Sequence, residues 1–146
     1  MVKMKSKFII QQDDREPNLQ VLADTLELGI VFERIRLNEG DYIVDDVCIE
    51  RKEINDFCGS IIDGRLEKQI EKMKVKYKKI FILISGRIKD RTSEIDENCV
   101  VGMIVSLLIK HNIPVLIFDD DFQLIFAMKR LFERSKLQEV NENGNK

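Results

Sequence analysis

The sequence predicts an α/β domain of three layers, with a central mixed sheet flanked by helices, and three observations carry that prediction. Strand-length apolar segments alternate with segments whose apolar residues recur at helical spacing. The connections between them are short. One segment, residues 80–85 (IFILIS), is apolar almost without interruption, as a strand covered on both sides must be.

Taken in order, an apolar start at 8–12 reads as a strand, 19–28 as a helix and 31–37 as a second strand. Residues 41–44 and 47–52 form a strand pair around a turn at Asp45-Asp46. Ile54, Phe57, Cys58, Ile61 and Ile62 then share one helix face, and Leu66, Ile70, Met73 and Tyr77 share another, with Asp63-Gly64 as the break between them. After the 80–85 strand come a helix at 96–110, a strand (VLIF) behind Pro114, and a last helix at 121–137. That helix is apolar on two sides: Phe122, Ile125, Phe126 and Phe132 lie toward one, and Leu124, Met128 and Leu131 toward another. Two apolar sides need two partners, the second being either deeper burial within the domain or another subunit. Residues 1–138 read as one domain, and the polar, aperiodic stretch 139–146 as a disordered tail.

The composition, 44% hydrophobic and 34% charged, belongs to a globular chain and excludes the disordered class. No apolar run is long enough to span a membrane and the N-terminus lacks the pattern of a signal peptide, so a cytoplasmic protein with no membrane partner is expected. Cys48, Cys58 and Cys99 have no CxxC spacing and read as small core residues. His111, near a helix end, reads as structural. The net charge of −2 conceals an uneven distribution, since residues 51–91 hold 12 basic and 6 acidic side chains within an otherwise acidic protein. A polyanion is drawn to such an island, and a solvated lysine-rich helix face gives the same count.

The chemistry concentrates in the segment VCIERKEIND at 47–56. Side chains alternate along a strand, so Glu50 and Lys52 share one face while Arg51 takes the other. A hairpin brings Asp41 alongside Glu50. Two carboxylates and a lysine at a strand end are what a hard divalent ion acting on a phosphate ester requires.

Asp13-Asp14-Arg15-Glu16, Gly40-Asp41-Tyr42, Glu50-Arg51-Lys52 with Asp56, and SIIDGRLEKQ at 60–69 together resemble the motifs of the XPF/Hef-type structure-specific endonuclease family, over roughly residues 8–135. The resemblance implies a restriction-endonuclease-like nuclease domain that needs a divalent metal, Mg²⁺ or Mn²⁺, and cuts branched double-stranded DNA such as flaps and forks. It makes Asp41 and Glu50 the leading metal ligands, joined by the carbonyl of Arg51 and by Asp13 through water. Lys52 then positions water and offsets charge. Asp56 either orients Lys52 or is a carboxylate favoured in a helix's first turn. Arg15 and Arg65 take phosphate-binding or site-organising roles, Lys68 and Lys72 are candidates for backbone phosphates, and Glu16, Arg51 and Gln69 support the site, Glu16 by holding Arg15.

Two departures stand out. Gln12 is polar where the family has an apolar residue, and nothing after the last helix resembles the tandem helix-hairpin-helix module that usually follows, so weak DNA binding is expected. The reading is thus a metal-dependent endonuclease domain acting on branched DNA as a homodimer through its C-terminal helices. Its alternatives are a non-catalytic DNA-binding subunit and a restriction-type nuclease without branch preference.

Overall fold

The computed structural model describes residues 7–144. In chain order the elements are β1 (Phe8–Asp13), α1 (Gln20–Thr25), β2 (Ile30–Ile35), β3 (Tyr42–Val44), β4 (Val47–Glu53), α2 (Ile54–Ile62), α3 (Arg65–Lys76), β5 (Lys79–Ser85), α4 (Glu97–His111), β6 (Val115–Phe118) and α5 (Asp121–Gly144). The strands form one mixed sheet in the order β2-β1-β3-β4-β5-β6. β3 runs antiparallel to both β1 and β4, and the remaining pairs are parallel. β1 and β4 therefore point the same way, and their C-terminal ends meet the start of β3 at one edge of the sheet.

β5 explains the three layers. Ile80, Ile82 and Ile84 enter the core beneath α2, α3 and α4, while Phe81 and Leu83 enter the core beneath α1 and α5. Gly64, with φ +71°, adopts the left-handed conformation that ends α2 and lets α3 start at once.

The expected architecture is observed, with four local differences. α1 stops at Thr25 because Glu27 (φ 54°) and Gly29 (φ 67°) reverse the chain; Leu28 is buried beyond the helix, which prolonged the apolar pattern. Cys48 and Cys58 are buried as expected, whereas Cys99 is exposed, at the solvent side of α4's first turn. α5 continues past the anticipated end at 137 through the polar segment to Gly144, so residues 139–144 are helical and not a disordered tail. Adding a residue to an existing helix fixes little new backbone per hydrogen bond, and Gln and Glu tolerate it well.

The fourth difference concerns α5's two apolar sides. Leu124, Ile125, Met128 and Phe132 are all buried in the domain, Phe132 being 1% exposed, and Leu131 packs at their margin. α5 rests on the sheet and also against α1, so both sides find partners within the chain. Each such side chain contributes about 1.5–3 kcal/mol by leaving water. On α5 Phe122 (46%), Phe126 (48%) and Leu137 (59%) remain exposed, as do Val101, Val105, Leu108 and Ile109 on α4. Among the described residues no helix is long and apolar enough to cross a membrane.

Candidate active site

The site forms where β1 and β4 end and β3 begins, the edge at which α/β sheets commonly bind ligands. Tyr42 pairs with Ile49, which brings the residue before β3, Asp41, beside Glu50. The approach depends on Gly40: its φ of +83° is in the left-handed region, and a Cβ there would collide with the Cys48 Sγ. Asp41 Oδ2 accepts a hydrogen bond from the Arg51 backbone N–H at 2.9 Å. The N–H and C=O of one extended residue emerge on the same side of its strand, so the Arg51 carbonyl opens on that side too, past the start of β3.

Glu50 is buried, and its Oε1 lies 3.4 Å from the Lys52 ammonium. Two adjoining clefts of about 280 and 320 Å³ share Glu16, Asp41 and Glu50. Arg51, Lys52, Glu53, Asp56 and Arg65 line the first; Asp13, Arg15 and Gln69 are among those lining the second. Burial, then the charges of Glu50 and Glu16, push the Asp41 carboxyl up to about 9, against weaker opposition from the Arg51 N–H and Lys52. Burial likewise raises Glu50, although Lys52 and Asp41 pull it down. The pair is short of positive charge. A hard divalent cation, which takes carboxylate and carbonyl oxygens, fits this donor set and would relieve the repulsion.

The supporting residues are wired differently from the sequence expectation. Glu16 does not hold Arg15; it accepts from Arg51 Nε at 2.9 Å, and Arg51 Nη1 also reaches Asp121 Oδ1 at 3.4 Å. Arg51's guanidinium thus supports the strand from the α5 side, as its alternation predicts. Arg15 pairs with Asp13 (Nε to Oδ2, 2.8 Å) and donates to the Leu37 carbonyl at 2.7 Å. Asp13 Oδ1 also accepts from the Leu37 N–H at 3.1 Å. Burial acts to raise Asp13, but the bonds from Arg15 and Leu37 outweigh it and hold the carboxyl below its usual range. Asp13 is therefore an ionised brace already committed to protein donors.

Lys52 pairs with Glu50, whereas Asp56 sits exposed in the first turn of α2, on the cleft wall and without a bond to Lys52 among the described contacts. Arg65 is exposed and pairs with Asp63 at 3.2 Å. Gln69 lines the cleft with a buried Oε1 that has no hydrogen-bond partner among the described residues. Lys68 and Lys72 are exposed on α3, outside both clefts.

Sequence reasoning missed the role of Gln12. It is fully buried, its amide donating to Tyr42 Oη (3.1 Å) and the Pro17 carbonyl (3.0 Å) and accepting from Arg34 Nη1 (2.8 Å). The departure from an apolar residue is thus a satisfied polar network bracing β1 against β2 and β3. Its only signal in the sequence is the possible partner Arg34.

A six-stranded mixed sheet between helices, with paired carboxylates and a lysine at its strand ends, defines a restriction-endonuclease-like α/β domain. The chain belongs to the ERCC4 domain family, which matches residues 12–126. It is 28% identical over 136 residues to the 3′-flap repair endonuclease Xpf of Saccharolobus solfataricus, an alignment covering 92% of this chain and 58% of that protein. The structure of XPF from Aeropyrum pernix superposes with a TM-score of 0.76 at 26% identity, covering 92% of this chain and 69% of that one. The same protein in complex with DNA gives 0.72 at 25% identity, covering 87% and 66%.

Proposed function

We propose that this chain is a metal-dependent, structure-specific endonuclease domain that hydrolyses phosphodiester bonds in branched double-stranded DNA, leaving a 5′-phosphate and a 3′-hydroxyl. The observation carrying this reading is the pairing of buried Glu50 with half-buried Asp41, deficient in positive charge and flanked by Lys52 at 3.4 Å from Glu50. Membership of the ERCC4 domain family and likeness to an archaeal flap endonuclease support it.

Asp41, Glu50 and the Arg51 carbonyl would hold Mg²⁺ or Mn²⁺, which supplies positive charge against a phosphoryl oxygen and acidifies water. Lys52 orients the attacking water and offsets charge developing on the phosphate. The Arg51 N–H fixes the Asp41 carboxylate, and Glu16 with Asp121 fixes β4 through the Arg51 side chain. Asp13 and Arg15 hold the end of β1 to the chain at Leu37, which keeps the second cleft open.

The reading includes a homodimer. Its interface is the exposed apolar surface of α4 and α5, with a groove of about 540 Å³ lined by Leu26, Phe118, Phe122 and Phe126. The test is cleavage of labelled flap, fork and linear DNA of equal length, with Mg²⁺ or Mn²⁺ and then EDTA. Branch-selective, metal-dependent cutting that Asp41→Asn abolishes is the expected result. Binding without cutting would identify a non-catalytic subunit, and equal cutting of linear DNA a nuclease without branch preference.

A further inference from the structure

The acidic residues of α3 decide how its lysines are read. In sequence Glu67 and Glu71 interleave with Lys68, Lys72 and Lys76, a pattern that describes a self-neutralising solvated face. In the folded chain they do not share a side. Glu67 Oε2 lies 3.2 Å from His111 Nε2 and Glu71 Oε1 lies 3.9 Å from His111 Nδ1, so both carboxylates turn toward the end of α4. Lys74 joins that cluster, 3.2 Å from the same Nδ1. Leu66, Ile70 and Met73 form the buried stripe.

At about 100° per residue, Arg65, Lys68, Lys72 and Lys76 fall together in the remaining sector, on the flank beside Gln69. Gln69 and Arg65 both line the clefts that contain Asp41 and Glu50. The ridge therefore begins at the catalytic cleft. Its lysines lack carboxylate partners among the described residues, because Asp63 pairs with Arg65 while Glu67 and Glu71 face His111.

We propose that this ridge is a phosphate rail, carrying the backbone of the DNA substrate away from the cleft along α3; the proposal rests on the nuclease reading above. From residue 65 to 76 the helix advances about 16 Å. At roughly 3.4 Å of axial rise per phosphate on one strand, that length passes several phosphates. Lysine ammonium groups act there as point charges, so the rail is indifferent to sequence. Helical spacing sets the carboxylates on the opposite flank, where Glu67 meets His111 at 3.2 Å.

The test uses the full chain carrying Asp41→Asn, which is expected to bind without cutting, and measures affinity for flap and linear duplex DNA from 50 to 200 mM salt. Lys68→Gln/Lys72→Gln/Lys76→Gln is compared with a charge-matched triple elsewhere, Lys89→Gln/Lys110→Gln/Arg134→Gln. At about 0.9 per phosphate contact, the rail triple is expected to lower the log–log salt slope by about 2.7, so that its parent loses about 40-fold more affinity across that range. Lys72→Gln alone should lower the slope by about 0.9, which covers any folding defect in the triple. The control triple should change it little. Equal effects of the two triples, or an unchanged slope for the rail triple while its parent binds and the wild-type chain cuts, would overturn the rail and leave the nuclease reading intact. Absence of both binding and metal-dependent cutting in the parent and wild-type chains would overturn both.

Discussion

Replacing Asp41 with asparagine removes one of two like charges that the fold holds together with too little positive charge nearby. Burial and the neighbouring Glu50 and Glu16 raise the Asp41 carboxyl from an ordinary 3.8 to about 9. The folded chain therefore binds this proton more tightly than the unfolded chain does. The stability associated with it is present at low pH and is lost as pH climbs from the unfolded value toward the folded one. Between 3.8 and neutral pH the ceiling on that loss is about 4 kcal/mol, at roughly 1.36 kcal/mol per unit. Asparagine brings an amide N–H₂ that needs acceptors of its own in the site, which offsets part of it, so the gain from Asp41→Asn without metal is expected at about 1–3 kcal/mol, or roughly 3–10 °C in Tm. The gain should be larger at about pH 8 than at about pH 5, since the difference vanishes as pH approaches the unfolded value.

Divalent metal should reverse the order. A cation bound only by the folded wild-type chain stabilises it by about 2.7 kcal/mol at a hundredfold excess over Kd, while Asp41→Asn gains little. Thermal or urea unfolding of both chains, in EDTA and in Mn²⁺ across this pH range, measures every quantity. If Asp41→Asn is no more stable than wild type in EDTA, and both gain equally from Mn²⁺, then Asp41 and Glu50 are not an electrostatically frustrated cation site.

Other substitutions test separate parts of the structure. Lys52→Ala should lose cleavage by at least about 100-fold, the scale of positioned proton-transfer and charge-stabilising groups, while its circular dichroism stays native. Gly40→Ala must push its Cβ against Cys48 in a left-handed conformation, so Tm should fall by several degrees and recover in part with Cys48→Ala. Phe132→Ala should cost about 3–5 kcal/mol in urea unfolding because the ring is core, whereas Phe126→Glu should leave stability near wild type and weaken self-association in sedimentation. Glu16→Ala removes Arg51's 2.9 Å acceptor and leaves it, among the described contacts, the longer bond to Asp121, so a loss approaching the roughly 3–5 kcal/mol of a broken pair is expected by denaturant titration.

The parts of the site written in local periodicity were legible in the sequence. Strand alternation separated Arg51 from Glu50 and Lys52, and a hairpin with its turn at Asp45 (φ 53°) aligned Asp41 with Glu50. Contacts between distant segments were not legible. Adjacency suggested that Glu16 holds Arg15, yet neighbouring side chains diverge: Arg15 returns to Asp13 two residues back, and Glu16 meets Arg51 on another strand. Gln12 looked like a flaw until Arg34 and Tyr42 supplied its partners. The two-sided apolar pattern of α5 was read correctly as needing two partners, but α1 had not been recognised as one of them.

Residue 51 acts as a rivet driven through the sheet. Its amide holds the Asp41 carboxylate, and its guanidinium clamps Glu16 at the cleft wall and Asp121 at the start of α5. Truncating that side chain removes no atom from the reacting centre, yet it loosens the plank on which Glu50 and Lys52 are mounted. A survey scored on turnover alone would file such a mutant beside the true catalysts, and only a melting curve recorded in parallel would reveal it as a failure of carpentry.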